Sequence, residues 1–232
     1  MGKTFIMKNY AIVPSILSAN GAFLGKEIKE VLKAGADWIH IDMLDNHFAP
    51  NLAFGPHFCK DFRKFGLNME IDIHLGVRNF HNLVPMLAEF GASYITFHPE
   101  STSDINASLQ FIHKHGLKVG LAFSPSTSLH ILKYLKYKID LILIMSVNPG
   151  FGNQKFLTYT LKKIKEADNW IKENDNDNSI RLGVDGGIKL HNIKEVAIAG
   201  ADTFVIGSGI FDTHDYNKTL KEFRKRLKDI RY

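Results

Sequence analysis

The stretch LKAGADWIHID, residues 32–42, joins a helix-like run to a β-rich run at one glycine, Gly35. Gly just past a helix accepts the left-handed conformation that caps it, and a short turn then feeds a strand. The same joint recurs in LAEFGASYITFHP (87–99, Gly91), FIHKHGLKVGLAF (111–123, Gly116) and AIAGADTFVIGS (197–208, Gly200). Strands that alternate with helices imply βαβ units and a parallel sheet.

Outward from these joints the pattern predicts eight strands, at 11–17, 38–42, 70–75, 94–98, 118–124, 141–147, 180–184 and 203–207. Helical patterns fill the gaps at 23–33, 58–65, 80–90, 105–115, 129–135, 155–173, 191–199 and 216–229. The polar run ENDNDNS, 173–179, is too short for a domain linker, so residues 1–232 read as one domain. Eight βα units in a chain of 232 residues match a closed (β/α)8 TIM barrel. The rival, an open doubly wound sheet, carries a glycine-rich dinucleotide turn after its first strand. Here that turn reads SILSANGAF, with no GxGxxG.

Composition narrows the class. Hydrophobic residues are 45% and charged residues 23%, ordinary for a globular domain and not for a disordered, collagen-like or disulfide scaffold. The longest apolar run, 141–145, is far short of a bilayer span, which excludes an integral membrane protein of helical type. The single cysteine, Cys59, permits no internal disulfide. The start MGKTFIMKNY has no apolar signal core, so the expected location is the cytoplasm. The net charge of +5 is spread over many segments instead of forming a nucleic-acid stripe. Its densest run, 218–231, alternates with Leu220, Phe223, Leu227 and Ile230 at helical spacing, which marks a solvated basic face.

In such a barrel the active site is built from the carboxyl ends of the strands. His40 and Asp42 are two apart on one strand and so share a face. His74 and Asp185 end the third and seventh strands. Two imidazoles and two carboxylates suit a divalent metal, zinc first, with iron(II), cobalt and manganese as alternatives. One strand-end histidine is ordinarily a structural residue; four such groups at strand ends outweigh that reading. Asp72 reads as support for a ligand and His98 as wall lining. Glycine-rich turns follow the sixth strand (Gly150-Phe151-Gly152-Asn153), the seventh (Gly186-Gly187) and the eighth (Gly207-Ser208-Gly209). Loops after the last two strands of such barrels frequently hold phosphate on backbone N–H groups.

PSILSAN, HIDMLDNHFAPNLAFG, DIHLGV, MSVNPGFGNQKF, VDGG and the final Gly-Ser resemble the ribulose-phosphate 3-epimerase family in order and spacing, over nearly the whole chain. The resemblance implies a ribulose-phosphate-binding barrel that interconverts D-ribulose 5-phosphate and D-xylulose 5-phosphate in the pentose phosphate pathway. It implies one divalent metal ion per subunit on His40, Asp42, His74 and Asp185, and a homo-oligomer. It makes Asp42 and Asp185 the acid and base on opposite faces of an enediolate. It makes Ser15, His74, Gly150, Phe151, Gly152, Asn153, Asp185, Gly186, Gly187, Gly207 and Ser208 substrate contacts. Two methionines usual in that family are Leu44 and Gly76 here, and Asn46 and Asn153 stand where glycine is usual. Leu44 keeps an apolar wall, and Gly76 is read as leaving room. That room admits a runner-up, an epimerase for a hexulose 6-phosphate such as allulose 6-phosphate. A catalytically dead phosphate-binding barrel is opposed by the two aspartates. A Schiff-base aldolase is opposed by the lack of a strand-end lysine.

Overall fold

The computed structural model describes residues 9–175, 177, 179–228 and 230. The expected helix end at Asp229, the end of the basic run at Arg231, residues 1–8 of the N-terminal stretch, and Asn176 and Asn178 of the polar loop lie outside the described residues.

The strands are β1 (Ala11–Pro14), β2 (Ile39–Asp45), β3 (Leu52–Ala53), β4 (Ile71–Gly76), β5 (Tyr94–Phe97), β6 (Lys118–Phe123), β7 (Leu141–Met145), β8 (Arg181–Asp185) and β9 (Thr203–Ile206). The helices are α1 (Leu24–Lys33), α2 (His57–Lys64), α3 (Val84–Glu89), α4 (Ile105–Lys114), α5 (Thr160–Asn174), α6 (Ile193–Ile198), α7 (Ser208–Phe211) and α8 (Tyr216–Lys228). Ladder order runs β1-β9-β8-β7-β6-β5-β4-β2-β3, and every pairing except β2–β3 is parallel. One parallel bridge, Ser15 to His40, joins β1 to β2 and closes the ring. The chain is a (β/α)8 barrel, as its alternation predicts.

Two apolar layers hold it. Ile12, Ile41, Ile73, Ile95, Leu121, Ile144, Val184 and Phe204 are fully buried and face the helices, which supply Ile28, Leu87, Ile112, Ile164 and Phe223. The alternate residues Ala11, Val13, Ala122, Leu141, Leu143, Met145 and Val205 form a second cluster, the barrel interior. Small residues admit larger ones there: a Cβ at Gly120 would lie 2.5 Å from Thr96 Oγ1, and one at Gly183 2.9 Å from Leu143 Cδ1.

Several elements differ from expectation. The first strand ends at Pro14, and Ile16–Ser18 form a 3₁₀ turn where strand was expected; the helix expected over 80–90 divides into a 3₁₀ turn, Phe80–Asn82, and α3; and α7 is an added helix after β9. β3 is a ninth, antiparallel strand, paired through Leu44–Ala53 and Asp45–Leu52. Its turn depends on Asn46 at φ 58°, whose N–H donates to Asn51 O over 2.8 Å, and on Asp45 Oδ1, which accepts from the His47 and Phe48 amides. Asn tolerates the left-handed region, so it serves where glycine is usual. Residues 129–134 form a 3₁₀ helix instead of an α-helix, with Leu129 and Leu132 buried at the three-residue spacing that suits one. The helix expected from 155 begins at Thr160, because the Leu157 amide is drawn to Ser146 O, 2.8 Å away. Among the described residues no helix is long and apolar enough to cross a membrane.

Candidate active site

Period two along β2 aims His40 and Asp42 at the barrel interior, and parallel register places His74 beside Asp42 and Asp72 beside His40. Asp185 follows from β8, in register with Met145. One candidate ligand atom from each of His40, Asp42, His74 and Asp185 lies within 4.8 Å of the others.

The hydrogen bonds orient these side chains. Asp42 Oδ2 accepts from Ser15 Oγ at 2.7 Å, leaving Oδ1 to face His74 Nδ1 at 3.0 Å and His40 Nε2 at 3.4 Å. His40 Nδ1 donates to Asp72 Oδ2 at 2.7 Å, and Asp72 Oδ1 accepts from Thr96 Oγ1 at 2.9 Å. His40 is 0% exposed, and its Nε2 is a buried polar atom with no hydrogen-bond partner. An orphaned imidazole nitrogen aimed among carboxylates is what a metal ligand looks like from the protein's side, so the donor set fits a divalent cation. Asp72 stands behind His40, where a carboxylate would fix the tautomer of a ligating histidine. His98 is more than wall: its Nε2 lies 2.9 Å from His74 Nε2, and its Nδ1 lies 3.3 Å from Ser124 Oγ.

The electrostatics separate the two aspartates. Burial works against the Asp42 charge, but His40 and then His74 outweigh it and hold the carboxyl well below the usual range. Burial, reinforced by the Asp42 charge, pushes Asp185 up to about 6 against the pull of both histidines. His40 is raised well above an ordinary histidine, because Asp42 and Asp72 overcome its burial. Burial and the neighbouring His74 hold His98 far below it. Two carboxyls displaced in opposite directions form the pattern of an acid and base pair. A bound cation would favour the ionised form of both.

A cleft of about 630 Å³, counted to its open mouth, lies over this cluster. Ser15, Asp42, His74, Gly150, Phe151, Gly152, Asn153, Asp185, Gly186, Gly187, Gly207 and Ser208 all line it. His40 does not; it stands behind. Asn153 takes φ 58°, again the work of a glycine. Gly187 has φ 67°, and a Cβ there would fall 2.5 Å from the Phe156 nitrogen, so only glycine closes this turn. Ser18 is a lining residue the strand-end reading missed: it sits on a 3₁₀ turn past β1, and a Cβ at Gly207 would meet its Oγ at 2.5 Å. Gln154 was also missed. Its Nε2 donates to Asn148 O and Phe151 O, at 2.7 and 2.9 Å, and braces the loop after β7.

The reading of Gly76 as open space needs correction. Leu44 Cδ2 lies 2.6 Å from where a Cβ at 76 would stand, so Leu44 fills the volume that glycine vacates. Gly76→Ala is expected to cost about 1–3 kcal/mol, divided between stability and substrate affinity as Leu44 turns into the cleft. Adding Leu44→Ala should remove most of that loss. Additive losses in a denaturation and KM series would show that the two positions do not meet.

Comparison with known proteins gives a family and a fold. Residues 11–211 match the Ribulose-phosphate 3 epimerase family. The chain is 51% identical over 224 residues to ribulose-phosphate 3-epimerase of Buchnera aphidicola subsp. Schizaphis graminum, covering 97% of each chain. It is 50% identical to the enzyme of that name from Escherichia coli (strain K12), covering 97% of this chain and 99% of that one. Among solved structures, KGPDC from Streptococcus mutans shares the fold at a TM-score of 0.69 and 14% identity, over 96% of this chain and 99% of that one. From these matches the chain belongs to the ribulose-phosphate 3-epimerase family of enzymes.

Proposed function

We propose that this isomerase epimerises C3 of D-ribulose 5-phosphate to D-xylulose 5-phosphate, through an enediolate, with a divalent metal and two aspartates. The observation that carries the proposal is the convergence of Asp42 and Asp185, on β2 and β8, with His74 and the orphaned His40 Nε2, one ligand atom from each lying within 4.8 Å of the others. His40, Asp42, His74 and Asp185 would hold one metal ion per subunit. Zinc suits this donor set, and iron(II), cobalt or manganese are accepted by similar ones. When bound, the cation would supply positive charge that acidifies the C3 proton and stabilises the charge that develops.

The chain's own residues do the rest. Asp42, as carboxylate, takes the C3 proton from one face. Asp185 gives a proton to C3 from the other, so each turnover leaves Asp42 protonated and Asp185 ionised until solvent resets them. Ser15 orients the Asp42 carboxylate. Met145, Leu44 and Val147 keep water from the intermediate. The backbone of the turns after β7, β8 and β9, from Gly150 to Asn153, Gly186–Gly187 and Gly207–Ser208, cradles the substrate and its phosphate. Leu44 over Gly76 fills the room that had favoured a hexulose. We further read residues 1–232 as a single barrel domain that forms a cytoplasmic homo-oligomer in the pentose phosphate pathway, with sugar phosphate as its partner and neither nucleic acid nor membrane. Family resemblance supports the oligomer and the pathway.

The test is an assay of the purified protein on ribulose 5-phosphate and allulose 6-phosphate, with bound metal quantified on the same sample. Faster turnover of the pentulose by metal-bearing protein is expected. Inactivity on both sugars would overturn the assignment.

A further inference from the structure

The cleft poses an electrostatic problem. A sugar phosphate is close to a dianion, yet among the described residues that line this cleft there is no lysine or arginine. The polar lining at the phosphate end is backbone, with Ser18 and Ser208 as its hydroxyls. Neutral N–H groups can bind phosphate, but a charge-assisted donor is roughly twice as strong as a neutral one.

Lys189 stands just behind that lining. Its Nζ donates to Ser208 Oγ over 2.8 Å, from the loop after β8 to the start of α7 after β9. Its stem passes the Gly209 position, where a Cβ would lie 3.5 Å from Lys189 Cδ. Its backbone is fixed as well. The Lys189 amide donates to Asn192 Oδ1 at 2.8 Å, and Asn192 Nδ2 donates to Gly187 O at 2.9 Å. Asn192 is buried, so the turn from Gly187 to Lys189 is clamped at both ends. A hydroxyl that accepts from an ammonium must aim its own proton elsewhere, and Ser208 lines the cleft.

We propose that Lys189 is the cationic member of the phosphate subsite: it positions and polarises the Ser208 hydroxyl toward the phosphate and supplies the charge the lining lacks. Resting on the phosphate placement given above, it adds a side chain that the strand-end reading of the sequence passed over. Because Lys189 bridges the two glycine turns, the same contact sets the gap between them.

The experiment compares wild type, Lys189→Met and Lys189→Arg. Inorganic phosphate is the probe, as a competitive inhibitor and by calorimetry, beside KM and kcat for ribulose 5-phosphate and bound metal content. For Lys189→Met, phosphate affinity should fall about tenfold and KM should rise by a similar factor, with a smaller loss in kcat. The dependence of kcat/KM on ionic strength should flatten. Lys189→Arg should recover most of the affinity, which a purely structural defect would not do. Metal content should match wild type, which shows the variant folded. Unchanged phosphate affinity in metal-replete Lys189→Met would overturn the inference about Lys189 alone. If phosphate failed to compete with substrate in wild type, the placement of the phosphate would fall with it.

Discussion

Asp185→Asn should lower epimerisation by about 10³-fold, because one face of C3 loses its acid or base. Asn keeps a carbonyl oxygen for a cation but carries no exchangeable carboxyl proton. Asp42 survives in this variant with Ser15 Oγ and His74 Nδ1 still around it. It should therefore still remove the C3 proton of the epimer whose proton faces it. In deuterated water that epimer should exchange its C3 hydrogen without inverting. Asp42→Asn should show the mirror result, exchange confined to the other epimer. Bound metal must be measured on both variants, since either carboxylate is also a candidate ligand. Exchange of the same epimer by both metal-replete variants, or near-normal turnover in either, would rule out the division of labour between the two faces.

Removal of the metal is expected to be as severe. A cation beside a developing oxyanion contributes several kcal/mol, so exhaustive chelation should reduce turnover by about 10³-fold or more. Zinc, iron(II), cobalt or manganese should restore it. His40→Ala deletes the orphaned Nε2 and should abolish stoichiometric binding. Asp72→Ala removes only the brace behind His40 and should weaken metal affinity about 10- to 100-fold, because outer partners fix the ligand's tautomer and ring orientation. The two effects are separable by equilibrium dialysis. Full activity in demetallated protein, or wild-type affinity in His40→Ala, would remove these residues from the ligand set.

What the sequence shows depends on how local the cause is. Gly35, Gly91, Gly116 and Gly200 each take positive φ at a helix end, and one residue type suffices to mark that joint. The spacing of His40 and Asp42 needs only the two-residue period of a strand. The glycine turns after β8 and β9 are legible because Gly187 and Gly209 must approach other backbone, at Phe156 and Ile188. By contrast, Leu44 fills the space of Gly76 across a strand pair, and no pattern along one strand displays that fit. His98 gains its part only when β4 and β5 lie side by side. Lys189 and Ser208 meet across two βα turns, and in sequence Lys189 is only a lysine two residues past a glycine pair. β3 was hidden in turn chemistry: Asp45 and Asn46 reverse the chain within a stretch that reads as loop.

The ring is thinnest between its first two strands. β1 is laddered to β9 over residues Ala11 to Pro14, but its joint with β2 is the bridge from Ser15 to His40 and, just before β2, the Asp37 amide that donates to Ile12 O over 3.1 Å. That joint is also the place where Ser15 meets the Asp42 carboxylate. Pairing Ala11 with Thr203 closes nearly the entire chain into one loop, an entropic cost that falls late in folding. A ligand gripped by Asp42 and Asp185 would span that thin joint, since those side chains belong to β2 on one side and β8 on the other. Occupancy should therefore act as a hoop, adding resistance to heat and proteases that grows with the logarithm of free ligand. On the proposed function, the lifetime of this barrel in a cell would then follow the supply of metal and sugar phosphate as well as its own packing.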